Sequence, residues 1–145
     1  MLAVPVIELA DGADESAFAI MMAELIRANL TDHPEKNADF QAMSGRVALV
    51  AEDADTTITL RFRAGVLTVH SGLFGIPDLV IRGSSESLID LSRLPHHPRF
   101  AFLPDFGSSV ARSLARAAYE RKLRISGLTV HPALALRLGR VLSIY

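Results

Sequence analysis

The apolar positions of the chain fall into two periods. Phe18, Met21, Met22, Leu25, Ile26 and Leu30 recur every three or four residues, which places them on one face of a helix. The acids Asp11, Asp14 and Glu15 precede that pattern, suit the positive end of the helix dipole, and make Asp14 the expected cap. His33-Pro34 ends the helix, because proline disfavours helical geometry in the residue before it. A shorter helix or turn is expected over 37–43.

From Gly45 the period is two. The runs RVALVAE, TTITLRFR and GVLTVHSG follow one another, joined by Asp53-Ala54-Asp55 and by Ala64-Gly65. Both joins are short enough for hairpins, so consecutive strands are expected to pair antiparallel. In the second run Ile58, Leu60 and Phe62 point one way and Thr57, Thr59, Arg61 and Arg63 the other, giving one buried face and one wet face.

The segment SGLFGIPDL supplies glycine and proline punctuation before a fourth strand, DLVIRG, which leads into SSESLIDLSRL. That stretch reads as a helix capped by Ser84 or Ser85, with Leu88, Leu91 and Ile89 on its apolar side. Residues 95–107, PHHPRFAFLPDFG, form a loop with a hydrophobic load. Ser108 or Ser109 caps a helix through Val110, Leu114 and Tyr119, with Arg112 and Arg116 one turn apart on another face. In RKLRISGL, Leu123 and Ile125 alternate with Lys122, Arg124 and Ser126 as a fifth strand. Pro132 opens a closing helix with the stripe Leu134, Leu138, Val141 and Leu142.

No repeat or linker interrupts this order, so one domain is expected over 14–145, with 1–13 as a frayed arm. Composition narrows the class. Half of the 145 residues are apolar and 21% charged, which suits a globular core and not a disordered chain. Cysteine is absent, which removes disulfides, thiolate metal sites and thiol nucleophiles and fits a reducing cytoplasm. AFAIMMAELI, the most apolar stretch, is broken by Glu24 and never approaches the ~20 apolar residues of a membrane span. The start, MLAVPVIELADG, lacks the basic opening of a secretory signal.

The net charge of −1 conceals an acidic part before Arg61 and a basic part from it onward. Such parts are expected first to neutralise each other within the fold. Arg112, Arg116, Arg121, Lys122, Arg124, Arg137 and Arg140 are the strongest basic set; lipid headgroups rank second as their partner, and nucleic acid, for want of interleaved aromatics, is not expected.

Catalytic chemistry finds little footing. No G-x-S-x-G elbow or phosphate-binding glycine loop occurs, and the serines sit where caps are needed. His96-His97 lies between prolines without the i, i+4 spacing of helical metal ligands, and His70 reads as a half-buried strand residue with a backbone partner. Asp53, Asp55 and Asp78 fall in turns, where such side chains bond their own backbone. No catalytic residue, metal or cofactor is expected.

Two stretches, PDLVIRGSSESLIDLSRL and KLRISGLTVHPALALRL, resemble the sterol carrier protein domain, the non-specific lipid-transfer type. Lys122, Leu123, Ile125 and Gly127 follow its K-L-x-I-x-G strand, and Leu88, Leu91 and Leu94 stand where its preceding helix is apolar. The resemblance implies a single α+β domain with a five-stranded, mostly antiparallel sheet covered on one face by helices. It also implies an apolar tunnel for a lipid or fatty acyl chain. On that reading Leu88, Leu91, Leu94, Leu114, Leu134, Leu138 and Val141 meet the ligand, and Arg112, Arg116 and Arg124 meet a headgroup or an anionic membrane. Phe100, Phe102 and Phe106, in an insert longer than the family's, complete the core or line the pocket. The alternative is a protein-interaction module whose cavity is self-filled and whose basic surface meets an acidic protein.

Overall fold

The computed structural model describes residues 4–93, 108–119 and 123–144. The strands are β1 (Val6–Leu9), β2 (Gly45–Ala51), β3 (Thr56–Arg63), β4 (Val66–Ser71), β5 (Leu79–Gly83) and β6 (Leu123–Ser126). The helices are α1 (Ala17–Asp32), α2 (Asn37–Ala42), α3 (Ser85–Ser92), α4 (Ser109–Tyr119) and α5 (Pro132–Leu142).

The sheet has six strands in the order β1-β4-β3-β2-β5-β6, where five mostly antiparallel ones were expected. The meander β2-β3-β4 is antiparallel as its alternation requires, and Ala64 and Gly65 both take positive φ, the two-residue turn whose twist matches the flanking strands. The additional strand is β1: Val6–Leu9, in the segment expected to fray, pairs in parallel with Val66–Val69 of β4. The mixed character has a second source, because β5 runs parallel to β2. A parallel connection needs a crossover. Here the segment 72–78 supplies it, returning diagonally across β3 and β2 on the face away from the helices.

Alternation sorts the sheet into two faces. Val47, Leu49, Ile58, Leu60, Phe62, Leu67, Val69, Leu79 and Ile81 point inward and are buried. They meet Met22, Ile26 and Leu30 of α1, Phe40 of α2, Leu88 of α3, and Leu134, Leu138, Val141 and Leu142 of α5 in one continuous core. Phe40 sits edge-on to Phe62 with ring centres 6.0 Å apart. Helix α1 begins two residues later than a cap at Asp14 would place it: Ser16, in extended backbone, accepts a bond from the Ala19 N–H at 3.2 Å. Asp14 lies instead in a 3-10 turn at Ala13–Glu15. Of the two serines expected to cap α3, Ser84 does so, accepting from the Ser87 N–H. Among the described residues no helix is long and apolar enough to cross a membrane.

Candidate functional site

Leu88, Leu134, Leu138 and Val141, expected at a ligand, are all buried members of the continuous core. Leu91 is half-buried against it, as is Val110 at the start of α4. Leu94, Phe100, Phe102 and Phe106 lie outside the described residues, as do the side chain of Leu114 and His96-His97.

The inward face of the sheet is less buried at β6 than at β5. Ile125 pairs with Ile81 and so shares its inward face, yet Ile125 is 40% exposed and Ile81 4%. Helix α4 packs on α3 and on β6; Leu91 of α3 and Val110 of α4 are partly buried against the core, and Ile89 of α3 is exposed. On the other side of α5 lies a cleft of about 270 Å³ lined by Met43, Val130, Pro132, Leu134 and Arg137. A neighbouring cleft of about 220 Å³ is lined by Leu136, Asp39 and Arg140. Both fall short of the ~300–1,000 Å³ usual for small-molecule sites.

Among the described residues the basic set does not form one patch. Arg112 and Arg116 are exposed on α4, whereas Arg124 stands on the outer face of the sheet, opposite Arg82 and 3.1 Å from Glu52. Arg140 meets Asp39 at 3.1 Å. These two pairs join the basic part of the chain to the acidic part.

The C-terminal end of α5 is held by groups that the leucine stripe does not reveal. Buried Asn29 donates from Nδ2 to the carbonyls of Val141 at 3.0 Å and Leu142 at 2.8 Å. Lys36 donates to the Ser143 carbonyl, and the Ile144 N–H donates to the Ser92 carbonyl at the end of α3. Burial pushes the Lys36 ammonium pKa down, with Arg140 adding to that and Glu35 and Asp39 opposing it. One signal was available: Asn29 falls three residues after Ile26, on the face that α1 turns to the core.

Asp78 and Asp53 bridge between segments instead of bonding only within their turns. Asp78 accepts the Arg46 N–H at 2.9 Å, and Asp53 accepts the backbone N–H and hydroxyl of Ser85 at 2.8 and 2.9 Å. Hydrogen bonding from Ser85 holds the Asp53 pKa below its usual value. Thr59, expected wet, is fully buried, because the crossover lies on it: its hydroxyl donates to the Gly72 carbonyl and accepts the Phe74 N–H. The Phe74 ring stacks on His70 at 3.8 Å, and His70, half-buried as expected, has no hydrogen-bond partner at its buried Nε2.

Desolvation, followed by Arg61 and Arg46, lowers the His70 pKa from 6.5. The unfolded chain therefore takes up this proton before the folded one, and stability rises with pH from the lowered value up to 6.5, then levels off as far as this residue is concerned. Replacing His70 by Phe is expected to remove that step from urea midpoints measured against pH.

Among the described residues no group of three or more His, Asp or Glu is placed to hold a metal. No protein-family model and no curated protein matches the chain. Solved structures do. A protein described as "UbiJ-SCP2 Ubiquinone synthesis protein" aligns with a TM-score of 0.57 at 15% identity, over 87% of this chain and 97% of that one. A crystal structure of sterol carrier protein 2 aligns with a TM-score of 0.53 at 10% identity, over 86% and 92%. The order of elements, the inward apolar face and these alignments agree, and the chain is a single α+β domain with the sterol-carrier-protein fold.

Proposed function

We propose that the protein binds a lipid or fatty acyl chain without catalysis, for transfer or presentation, at the apolar margin between α3, α4 and β6. The observation that carries this reading is Ile125, an inward-facing residue of the sheet that stays 40% exposed although its partner Ile81 is buried, on the strand that α4 packs against. The fold supports it, and the names of the two aligned proteins, one of ubiquinone synthesis and one of sterol carriage, both concern apolar small molecules. Each methylene removed from water contributes about 0.8 kcal/mol, so an alkyl tail is held by area and needs no precise polar contact. Arg112 and Arg116, exposed on α4, steer the headgroup.

Mass spectrometry of lipids co-purified with the protein, followed by titration with a fluorescent fatty acid, tests the reading. Bound lipid is expected, with at least a tenfold loss of affinity in Leu91→Asp and in Ile125→Asp, since a carboxylate in an apolar contact must be desolvated. Empty extracts together with no fatty-acid binding would overturn it. The burial of Leu88, Leu138 and Val141 in a packed core favours a second reading, a self-filled domain that docks an acidic protein. A stoichiometric protein partner lost on charge reversal of Arg116 and Arg124 would then be recovered in place of lipid.

A further inference from the structure

The helix-free face of the sheet is basic where the crossover passes. Arg46 of β2 and Arg61 of β3 are directly opposed in register, a like-charge cross-strand pair that is unfavourable by itself. Arg63 lies on the same face, and His70 stands one pleat away on β4. None of Arg46, Arg61, Arg63 or Arg82 makes an ion pair with a described residue, and Arg46 Nε is buried without a hydrogen-bond partner. Asp78 bonds the Arg46 backbone N–H and meets His131, Glu8 accepts from Thr68, and Glu52 meets Arg124.

Beside these cations the crossover presents bare apolar side chains. Phe74 anchors it by stacking on His70, with the Arg46 guanidinium 6.0 Å from its ring centre. Leu73 and Ile76 flank that anchor and project outward, 66% and 84% exposed. The turn that follows β6 adds exposed Leu128 and Val130, and it abuts the crossover where Gly127 lies against Asp78.

We propose that this face docks on an anionic lipid bilayer, with Leu73 and Ile76 entering the headgroup layer and Arg46, Arg61 and Arg63 meeting lipid phosphates. Charge complementarity selects this occupant. A second copy bound by the same face would set arginine against arginine across a two-fold axis. A protein groove would call for a concave apolar surface, whereas apolar side chains that protrude singly beside cations suit a fluid interface with negative charge above it. The inference is independent of lipid carriage, since vesicle binding is read whether or not the core margin holds a lipid.

Co-sedimentation of the whole chain with vesicles tests it, using phosphatidylcholine alone and phosphatidylcholine mixed with phosphatidylglycerol. Binding is expected at least tenfold tighter to the mixed vesicles and weaker as salt is raised. An arginine at an anionic surface contributes roughly a fivefold change, so Arg61→Gln with Arg63→Gln is expected to weaken binding about 25-fold. Leu73→Ser with Ile76→Ser, both at exposed positions, is expected to weaken it at least tenfold. The chain has no tryptophan, so Ile76→Trp gives a single reporter whose emission shifts to the blue on adding mixed vesicles. Equal binding to both vesicle types, indifference to either double substitution, or an unshifted tryptophan would overturn the proposal. So would a dimer in sedimentation equilibrium that dissociates in the Leu73→Ser, Ile76→Ser variant, which would give the face to a second copy.

Discussion

Replacing Gly127 by alanine is expected to destabilise the protein by about 3 kcal/mol or more, read as a lowered urea midpoint with an unchanged slope. Two effects add. Gly127 has φ +91°, a conformation that strains any residue with a Cβ by roughly 1–2 kcal/mol. A Cβ there would also fall on the backbone carbonyl oxygen of Asp78, well inside van der Waals contact, and backbone does not swing aside as a flexible side chain would. Relief requires β6 to move away from the start of β5. The Gly127 carbonyl also accepts the N–H groups of Val130 and His131, so the same shift disturbs the turn that launches α5. Gly139, inside α5, provides the comparison: it has open space for a Cβ and ordinary helical backbone. Alanine there is expected to stabilise by up to about 1 kcal/mol.

Much of the framework was legible because local signals and tertiary structure agree. Alternating Ile58, Leu60 and Phe62 identify a strand with one dry face, Ala64-Gly65 identifies a hairpin, and Ser84 ahead of Leu88 and Leu91 identifies a capped helix. The omissions have a common cause, namely that each depends on a partner distant in sequence. Val6–Leu9 is too short to announce a strand by period, and it is one because β4 offers a free edge. Thr59 looks like a solvent residue in TTITLRFR, and only the parallel placement of β5 brings the crossover down on it. The candidate site shows the same limit in another form. A leucine stripe on α3 or α5 marks a face that leaves water, but core and lipid are chemically alike to it, so spacing alone does not separate a residue packed on Ile81 from one packed on an alkyl tail. What separates them is exposure on the inward face, as at Ile125 opposite buried Ile81.

Asn29→Asp is expected to destabilise by about 4 kcal/mol at neutral pH and to recover part of that in acid, a signature that a simple packing defect lacks. The Asn29 amide donates two bonds to the last carbonyls of α5, the negative end of that helix. An ionised carboxylate in its place has no hydrogen to give and faces two carbonyl oxygens from a buried position. The ammonium of Lys36, which already serves the Ser143 carbonyl, is the cation at hand to limit the loss. Folding thus raises the pKa of the introduced group above the ~3.9 of a free aspartate. Stability relative to the parent is then lost as pH rises through the folded value and regained below it, where the protonated acid donates one bond again. Asn29→Leu, which also strands the two carbonyls but cannot titrate, is expected to lose about 3 kcal/mol at every pH. The latch matters beyond stability, because residues 143 and 144 tie the end of α5 to Lys36 and to Ser92 of α3. Loosening it frees α3 from α5 beside the margin proposed for lipid, so both variants are expected to weaken fatty-acid binding while leaving vesicle docking on the opposite face unchanged.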